Sequence, residues 1–500
     1  MLLLSDKLFY PFRSQEISPF EFEIIAGSAY IDLMEQLLNK LSAVFDTAAL
    51  TGSRFWIVGG TVRDHLMGRK PMDYDIAVDG NPADFAAAFA RAYGGRPVAI
   101  GRGDLQIHRV ATLGGFFDFS RIEGGDIEKD LRRRDFTINA MAVSPAHGRL
   151  IDPMGGRKDL RHRRIRMVSS DVFERDPVRL VRAFRMAALF DLDLDPVTEE
   201  RIRSQASLVT QSAGERVRDE LLKILGANRA SPTITRMNDD GVLGEILPEL
   251  SALAGCRQNG YHQYDVLDHT MLSLSHLEAI YADPSAWLPL QGRQARQSAA
   301  CRDPIMLKLA VLLHDIGKPA ARGTKNGRTH FQGHSSTGFE MAEAVFQRLR
   351  LSNRQGRFVG FMVRHHIRPL QLFLAHQRGD LTSRGRIRFF TRCGELTPAL
   401  VLLATADMAG KQTPPGERFA AFARFADSLL EAYFRDFRPI SLAPALITGK
   451  DLITILGLPP SPLFKQVLDA VEIERLEGRL ETRQEALKRA RELADAWQEG

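Results

Sequence analysis

Three cysteines in 500 residues (Cys256, Cys301 and Cys393) are too few and too far apart for a disulfide framework or a CxxC metal knot. No run of eighteen apolar residues exists, so no transmembrane helix and no membrane partner is expected. The opening Met1-Leu2-Leu3-Leu4-Ser5-Asp6-Lys7 has too short an apolar core for a signal peptide. Internal repeats are also lacking. These absences point to a reducing cytoplasm. What remains is 44% apolar and 26% charged, the balance of an ordinary globular protein, and the length implies several domains.

Charge is the first positive signal. The net charge is +6, and the stretch Arg157–Arg185 alone holds ten Lys/Arg against four Asp/Glu. Such a segment is either a solvated helix face or an attractor of polyanions such as nucleic acid or triphosphate.

Pattern divides the chain further. Residues 1–45 read as an extension, helical over Ser28–Phe45. Residues 46–170 mix strand-like runs (Phe55–Val58, Asp75–Val78, Val98–Ile100, His108–Thr112, Phe116–Phe119, Ala140–Val143) with Gly-rich turns. From Asp171 apolar residues recur at spacings of three and four, so 171–255, 256–420 and 421–500 read as helical units. Residues 283–304, with Pro284 and Pro289, read as a loop or insertion. The fold class expected is α+β: a mostly antiparallel sheet with flanking helices, then an all-α remainder.

Two short strings carry the chemistry. Gly59-Gly60-Thr61-Val62-Arg63-Asp64 follows the apolar run Phe55–Val58, and Asp73-Tyr74-Asp75 begins nine residues after Asp64. On a strand, Asp73 and Asp75 point to one face while Tyr74 and Ile76 point to the other. Paired carboxylates suit Mg²⁺, which keeps coordination sites for substrate phosphates. The glycines permit close approach of backbone N–H groups to a phosphate. Either motif alone is common on surface strands and turns; both together suggest metal-dependent chemistry on a nucleoside triphosphate. Asp118, in Phe117-Asp118-Phe119, is a candidate third carboxylate, with an ordinary strand Asp as the alternative.

The pair resembles the signature of the DNA polymerase beta-like nucleotidyltransferases. Leu131-Arg132-Arg133-Arg134-Asp135-Phe136-Thr137-Ile138-Asn139-Ala140-Met141-Ala142 narrows this: it is similar to the RRDFTINAMA motif of class II CCA tRNA nucleotidyltransferases and their poly(A) polymerase relatives. The resemblance implies a nucleotidyltransferase head (46–170), a helical neck (171–255), and an RNA-binding tail (421–500). It also implies that Gly59, Gly60, Arg63 and Arg134 hold the triphosphate, Asp135 the ribose, with Asn139 nearby. Glu174-Arg175-Asp176-Pro177-Val178-Arg179 resembles the family's EDxxR motif, in which Asp and Arg read the incoming base. Asp176 would cap a helix with Pro177 in its first turn. Asp176, Arg179 and Arg182 would then share a face. Arg175 stands where the family has Glu, which puts the addition of both C and A in question.

A second block follows. His269, His314-Asp315, His334, the pair His365-His366, and Asp407 occur in an order that resembles the HD superfamily of metal-dependent phosphohydrolases. His269, His314, Asp315 and Asp407 are the expected ligands, with His334 and His365 as further candidates. Such a set suits a divalent, including a transition, metal that would activate water against a phosphoester. The segment Ile447–Leu452 and the turn Leu456–Pro462 resemble the tail of bacterial CCA-adding enzymes, although Pro459-Pro460-Ser461-Pro462 departs from the usual PGPxxG.

The expected activity is addition of CCA, or part of it, to tRNA lacking its 3′ CCA, from CTP and ATP, with Mg²⁺ in the head. Alternatives are a poly(A) polymerase, an A-only or CC-only enzyme, or, from another class, an HD phosphohydrolase or nucleotide sensor with a relict head. Oligomeric state is left open.

Overall fold

The computed structural model describes residues 42–498, except 72, 102–105, 114, 145–147, 259–262 and 326–327. Of the expected extension 1–45, residues 1–41, with most of its expected helix, lie outside the described residues; the first described element is the helix Ser42–Thr51, which runs past the expected boundary at 45. The chain divides into two units. The first comprises residues 1–172 and 192–198, the second 173–191 and 199–500.

The first unit is built on seven strands: β1 (Arg54–Val58), β2 (Asp73–Asp79), β3 (Pro97–Ile100), β4 (Ile107–Thr112), β5 (Gly115–Arg121), β6 (Ala142–Ser144) and β7 (Arg149–Ile151). Their order is β3-β4-β5-β2-β1-β6-β7. Every pairing in this sheet is antiparallel except β2 with β5, which is parallel, and a separate short parallel pair joins Arg164–Ile165 to Asp193–Leu194. The expected mostly antiparallel sheet is therefore present, with a seventh strand that the sequence pattern did not announce. The last expected strand begins two residues late, because Thr137–Asn139 form a 3₁₀ turn capped at Ala140.

One face of the sheet is closed by the helix Pro82–Tyr93. Asn81 caps it by accepting from the Ala83 N–H, and Pro82 occupies the first turn. Phe85, Ala86 and Phe89 recur at helical spacing and are buried. Phe89 packs on Phe117 with ring centroids 4.8 Å apart, and Tyr74 stacks on Phe117 at 4.9 Å. Each fully buried aromatic contributes roughly 1.5–3 kcal/mol by desolvation alone. This apolar face consumes Tyr74 and Ile76 of β2, and strand alternation leaves Asp73 and Asp75 on the opposite one.

Among the described residues the second unit is almost wholly helical, with one short hairpin, Gly323–Lys325 against Arg328–His330. Residues 283–304 are not a loose loop. They form the helices Pro284–Trp287 and Gly292–Gln297, and Leu288, Ala295 and Cys301 are fully buried. The turn between these helices is held from afar. The N–H groups of Leu290 and Gln291 each donate to the Asp427 carboxylate at 2.8 Å. Toward its end the chain forms the helices Gly449–Thr454, Leu463–Leu476 and Arg483–Gln498 around Leu452, Val467, Val471, Ala486 and Ala490.

Candidate functional site

In the first unit, β2 and β5 run in register so that Asp75 stands beside Asp118. Asp73, Asp75 and Asp118 thus gather on one sheet face. Gly59 has φ +65° and ψ −130°, a conformation reserved for glycine. A Cβ there would lie 2.8 Å from an Arg134 guanidinium nitrogen and 3.2 Å from Asp75 Oδ2. The Gly60 N–H donates to Asp75 Oδ2 at 3.0 Å, and the Asp75 N–H donates to Thr61 Oγ1 at 2.7 Å. The glycine pair therefore admits a carboxylate and an arginine side by side, not only a phosphate. Burial pushes the Asp75 carboxyl up to about 6; Arg134 opposes this, and the neighbouring Asp118 and Asp73 charges reinforce it. A cation among these three carboxylates would relieve that repulsion, so the set fits Mg²⁺.

Arg109, which the sequence did not single out, is central here. On β4 opposite Asp118, it donates from Nε and Nη2 to the two Asp118 oxygens at 2.7 and 2.6 Å. Its Nη2 also lies 3.4 Å from Asp73 Oδ2. Asp118 is thus already engaged at both oxygens, leaving Asp73 and Asp75 as the stronger metal pair.

The arginine-rich phrase is anchored by Asp130, also missed. Its buried carboxylate accepts from Arg133 and from Arg134 at 3.0 Å each, through i,i+3 and i,i+4 spacing. Arg63 is buried and donates to Asp64 and, at 2.6 Å, to Asn139 Oδ1. Asn139 in turn donates to Asp135 Oδ1 at 3.0 Å. The structure thus links Arg63, Asn139 and Asp135 in one network; Arg134 borders Gly59 and Asp75, and Arg63 Nη2 lies beside Gly60, where a Cβ would stand 3.5 Å from it.

In the second unit, the helix Arg179–Phe190 starts later than the sequence suggests. Asp176 and Pro177 precede it, and no side chain caps it. The Asp176 carboxylate is instead clamped by Arg216, whose Nη1 and Nη2 donate at 2.9 Å each, and Arg179 Nε lies 3.7 Å away. Arg182 pairs with Glu220 at 3.1 Å. The expected cap loses to this bidentate ion pair, which is the stronger interaction.

The histidine block converges. His269 comes from the helix Val266–Ala282, His314-Asp315 from the end of Ile305–Leu313, and His334 from the start of His334–Arg348. His366 ends Asn353–His365, and Asp407 lies on Thr397–Ala409. All six are buried. His269 and His314 Nε2 lie 3.5 and 3.1 Å from Asp315 Oδ2, and His269 Nε2 lies 3.1 Å from Asp407 Oδ1. His334 and His366 Nε2 each lie 3.5 Å from the other oxygen, Oδ1. It is His366, not the expected His365, that joins the cluster. His365 faces Phe361 and Arg368 instead. Successive helical residues point about 100° apart, so only one of the pair can face inward.

This cluster fits a metal on its own geometry. Nδ1 of His314, His334 and His366 each lies 2.7 Å from a backbone carbonyl (Val311, Phe331 and Val363). Donation there leaves each Nε2 as a lone pair directed inward. His314 Nε2 is buried without a hydrogen-bond partner. The His334 and His366 Nε2 atoms face each other at 3.1 Å. Burial, helped by His366, lowers the His334 pKa to about 4, so the ring is neutral near pH 7. Ligands about 2.1 Å from one ion stand roughly 3–3.5 Å apart, the separations found here. Gly317 is obligatory: a Cβ would meet the His334 carbonyl oxygen at 2.2 Å. Lys318 and Lys411 lie 2.5 and 3.9 Å from Asp315 and Asp407.

Fold and sites together define a polymerase-type head joined to an HD metal domain, and family models agree. Residues 55–166 match the poly A polymerase head domain, 191–253 the probable RNA and SrmB-binding site of polymerase A, and 266–407 the HD domain. The A-adding tRNA nucleotidyltransferase of Deinococcus radiodurans is 34% identical over 437 residues, covering 86% of this chain and 93% of that protein. The CC-adding tRNA nucleotidyltransferase of Thermus thermophilus is 31% identical over 438 residues, 86% of this chain and 91% of that protein. The chain belongs to the tRNA nucleotidyltransferase family and is an enzyme of that family. Its fold is shared with the Thermotoga maritima CCA-adding enzyme complexed with tRNA, at TM-score 0.61 and 21% identity over 92% of this chain and 97% of that one. Among the described residues no helix is long and apolar enough to cross a membrane.

Proposed function

We propose that the protein extends the 3′ end of tRNA with CCA, or part of it, from CTP and ATP. The observation that carries this is the Asp73–Asp75 pair on one strand face, bordered by Gly59, Gly60 and Arg134. Asp73 and Asp75 hold Mg²⁺, which neutralises triphosphate charge when bound. The tRNA 3′ hydroxyl attacks the α-phosphate and pyrophosphate leaves. Arg134, fixed by Asp130, binds the triphosphate, and Arg109 keeps Asp118 and Asp73 oriented. Arg63 and Asn139 position Asp135 for the ribose. Asp176 and Arg179 read the base edge. Most of the rate enhancement then comes from positioning and charge neutralisation.

The HD cluster holds a divalent metal through His269, His314, Asp315 and Asp407. His334 and His366 face the other oxygen of Asp315. A metal there supplies Lewis-acid activation for phosphoester hydrolysis. The three free, buried thiols accord with a cytoplasmic location.

A second reading, addition of only part of CCA, is favoured by Arg175 in place of the family's Glu and by relatives that add A or CC. Transcripts ending before CCA, after C and after CC, each given CTP, ATP or both, separate the readings. Extension of all three to one common end supports full CCA addition. Extension only of the transcripts ending before CCA and after C, or only of the transcript ending after CC, supports partial addition. Extension of none refutes both.

A further inference from the structure

The most arginine-dense stretch of the second unit lies outside every site described above. Between Arg364 and Arg392 the chain carries seven arginines and a single acid, Asp380. That acid is occupied by Arg378 at 2.9 Å. The helix Ser383–Cys393 buries Ile387, Phe389, Phe390 and Cys393 and leaves Arg384, Arg388 and Arg392 exposed. Those three recur every four residues, so they form one row with about 6 Å of rise between neighbours. Arg388 and Arg392 have no carboxylate within ion-pair distance among the described residues.

The row borders a cavity of about 750 Å³, lined also by Arg368, Gln371, Thr391 and Ile473. Arg368 donates its Nε to His365 at 3.0 Å, which fixes its guanidinium on the cavity side of the helix Arg368–Gln377. On the opposing helix Leu463–Leu476, Glu472 pairs with Arg475 and Glu474 with Arg489, and the exposed Asp469 is not among the residues lining the cavity. Three guanidiniums therefore face one cavity with hydrogen-bonding Gln371 and Thr391 beside them, and none of the three has a carboxylate within ion-pair distance among the described residues.

We propose that this cavity and the Arg384–Arg388–Arg392 row bind consecutive phosphates of an RNA backbone, giving the enzyme a tRNA-docking site outside its head and base-reading helix. Guanidinium forks suit phosphate oxygens, and exposed unpaired arginines retain their full charge for a polyanion. A strand is favoured over a small anion because the row continues past the cavity to Arg384. The inference rests on the proposed action on tRNA.

The test compares wild-type protein with Arg388→Gln/Arg392→Gln and with Arg378→Glu, a control that removes the same net charge from an exposed, paired arginine. Fluorescence anisotropy with tRNA lacking CCA, over a salt series, reads binding without any need for catalysis. The double variant should bind about tenfold more weakly at low salt. Its slope of log affinity against log salt should be shallower by about 1–2, at 0.7–0.9 per lost phosphate contact. The rate at saturating tRNA and the KM for CTP and ATP should not change. The control should bind within twofold of wild type, and Arg388→Lys/Arg392→Lys should retain most of the affinity. Wild-type affinity and slope in the Gln variant would overturn the proposal. So would a shift in nucleotide KM without a shift in tRNA binding, equal weakening by Arg378→Glu, or loss in the Lys variant with a lowered Tm. If wild-type protein binds tRNA through this row yet adds no nucleotide, the proposed activity fails and the docking site stands.

Discussion

The head and the HD cluster both gather carboxylates for a metal, and they do so in opposite ways. In the head, Asp73 is 44% exposed at its side chain, Asp75 is partly buried, and an arginine already contacts Asp73. The ligands are oxygens, few in number, on a strand that faces outward. In the HD cluster the six side chains are buried, four are imidazoles, and three of these have Nδ1 fixed by backbone carbonyls. Two carboxylates, only one of them well exposed, hold a hard cation loosely and need substrate phosphates to complete its shell. A buried, pre-oriented set of nitrogen and oxygen ligands holds a borderline metal tightly. Under the proposed function, the head's metal arrives with the nucleotide and the HD cluster's metal stays.

The largest expected effect is on the head. Asp73→Ala or Asp75→Ala should lower nucleotide addition by about a thousandfold or more, since several kcal/mol of charge stabilisation are lost. HD hydrolysis should be unchanged in the same preparation. Near-normal incorporation at saturating Mg²⁺ would sink the metal assignment.

Next is the HD cluster. Wild-type protein should retain a divalent metal through gel filtration, while the head should need Mg²⁺ added back. His314→Ala/Asp315→Ala should lose the retained metal and any hydrolysis of phosphomonoesters or 2′,3′-cyclic phosphates, with addition to tRNA within about threefold. Elemental analysis finding no metal in the wild type would erase the contrast between a resident and a transient ion.

Base choice comes third. Arg179→Ala should cost roughly 1–3 kcal/mol of discrimination among CTP, ATP, UTP and GTP, on the scale of a bidentate base contact. Arg216→Ala, which frees Asp176 from its clamp, should blur selection less. Competition assays with unchanged nucleotide ratios in Arg179→Ala would remove that residue from base reading.

The smallest effect is expected from Asp130→Ala. It frees Arg133 and Arg134 without touching a metal ligand, so the nucleotide KM should rise about tenfold with little change in kcat. A kcat loss as large as that of Asp75→Ala would place Asp130 among the reacting groups instead.

How much of this was legible in the sequence follows the range of the interactions. Strand alternation placed Asp73 and Asp75 together, and the three-and-four spacing of apolar residues from Asp171 onward announced the helical remainder. Both are local patterns. Arg109 was invisible because its pairing with Asp118 depends on the β4–β5 register. Asp130 was within reach, since its i,i+3 and i,i+4 relation to Arg133 and Arg134 is a sequence feature. The choice between His365 and His366 turns on where one helix ends. Residues 283–304 read as a loop because the group that orders their turn, Asp427, lies more than 130 residues away. The cap expected at Asp176 failed for the same reason, Arg216 being forty residues on.

One nucleotide-resolution ladder tests the central claim of two independent sites most directly. Wild-type and His314→Ala/Asp315→Ala proteins are given the same two transcripts, one ending before CCA and one after CC, with CTP and ATP. Both should yield one ladder that stops at or before the third added nucleotide. A long homopolymer tail, no addition by either protein, or loss of addition in the HD variant alone would contradict it.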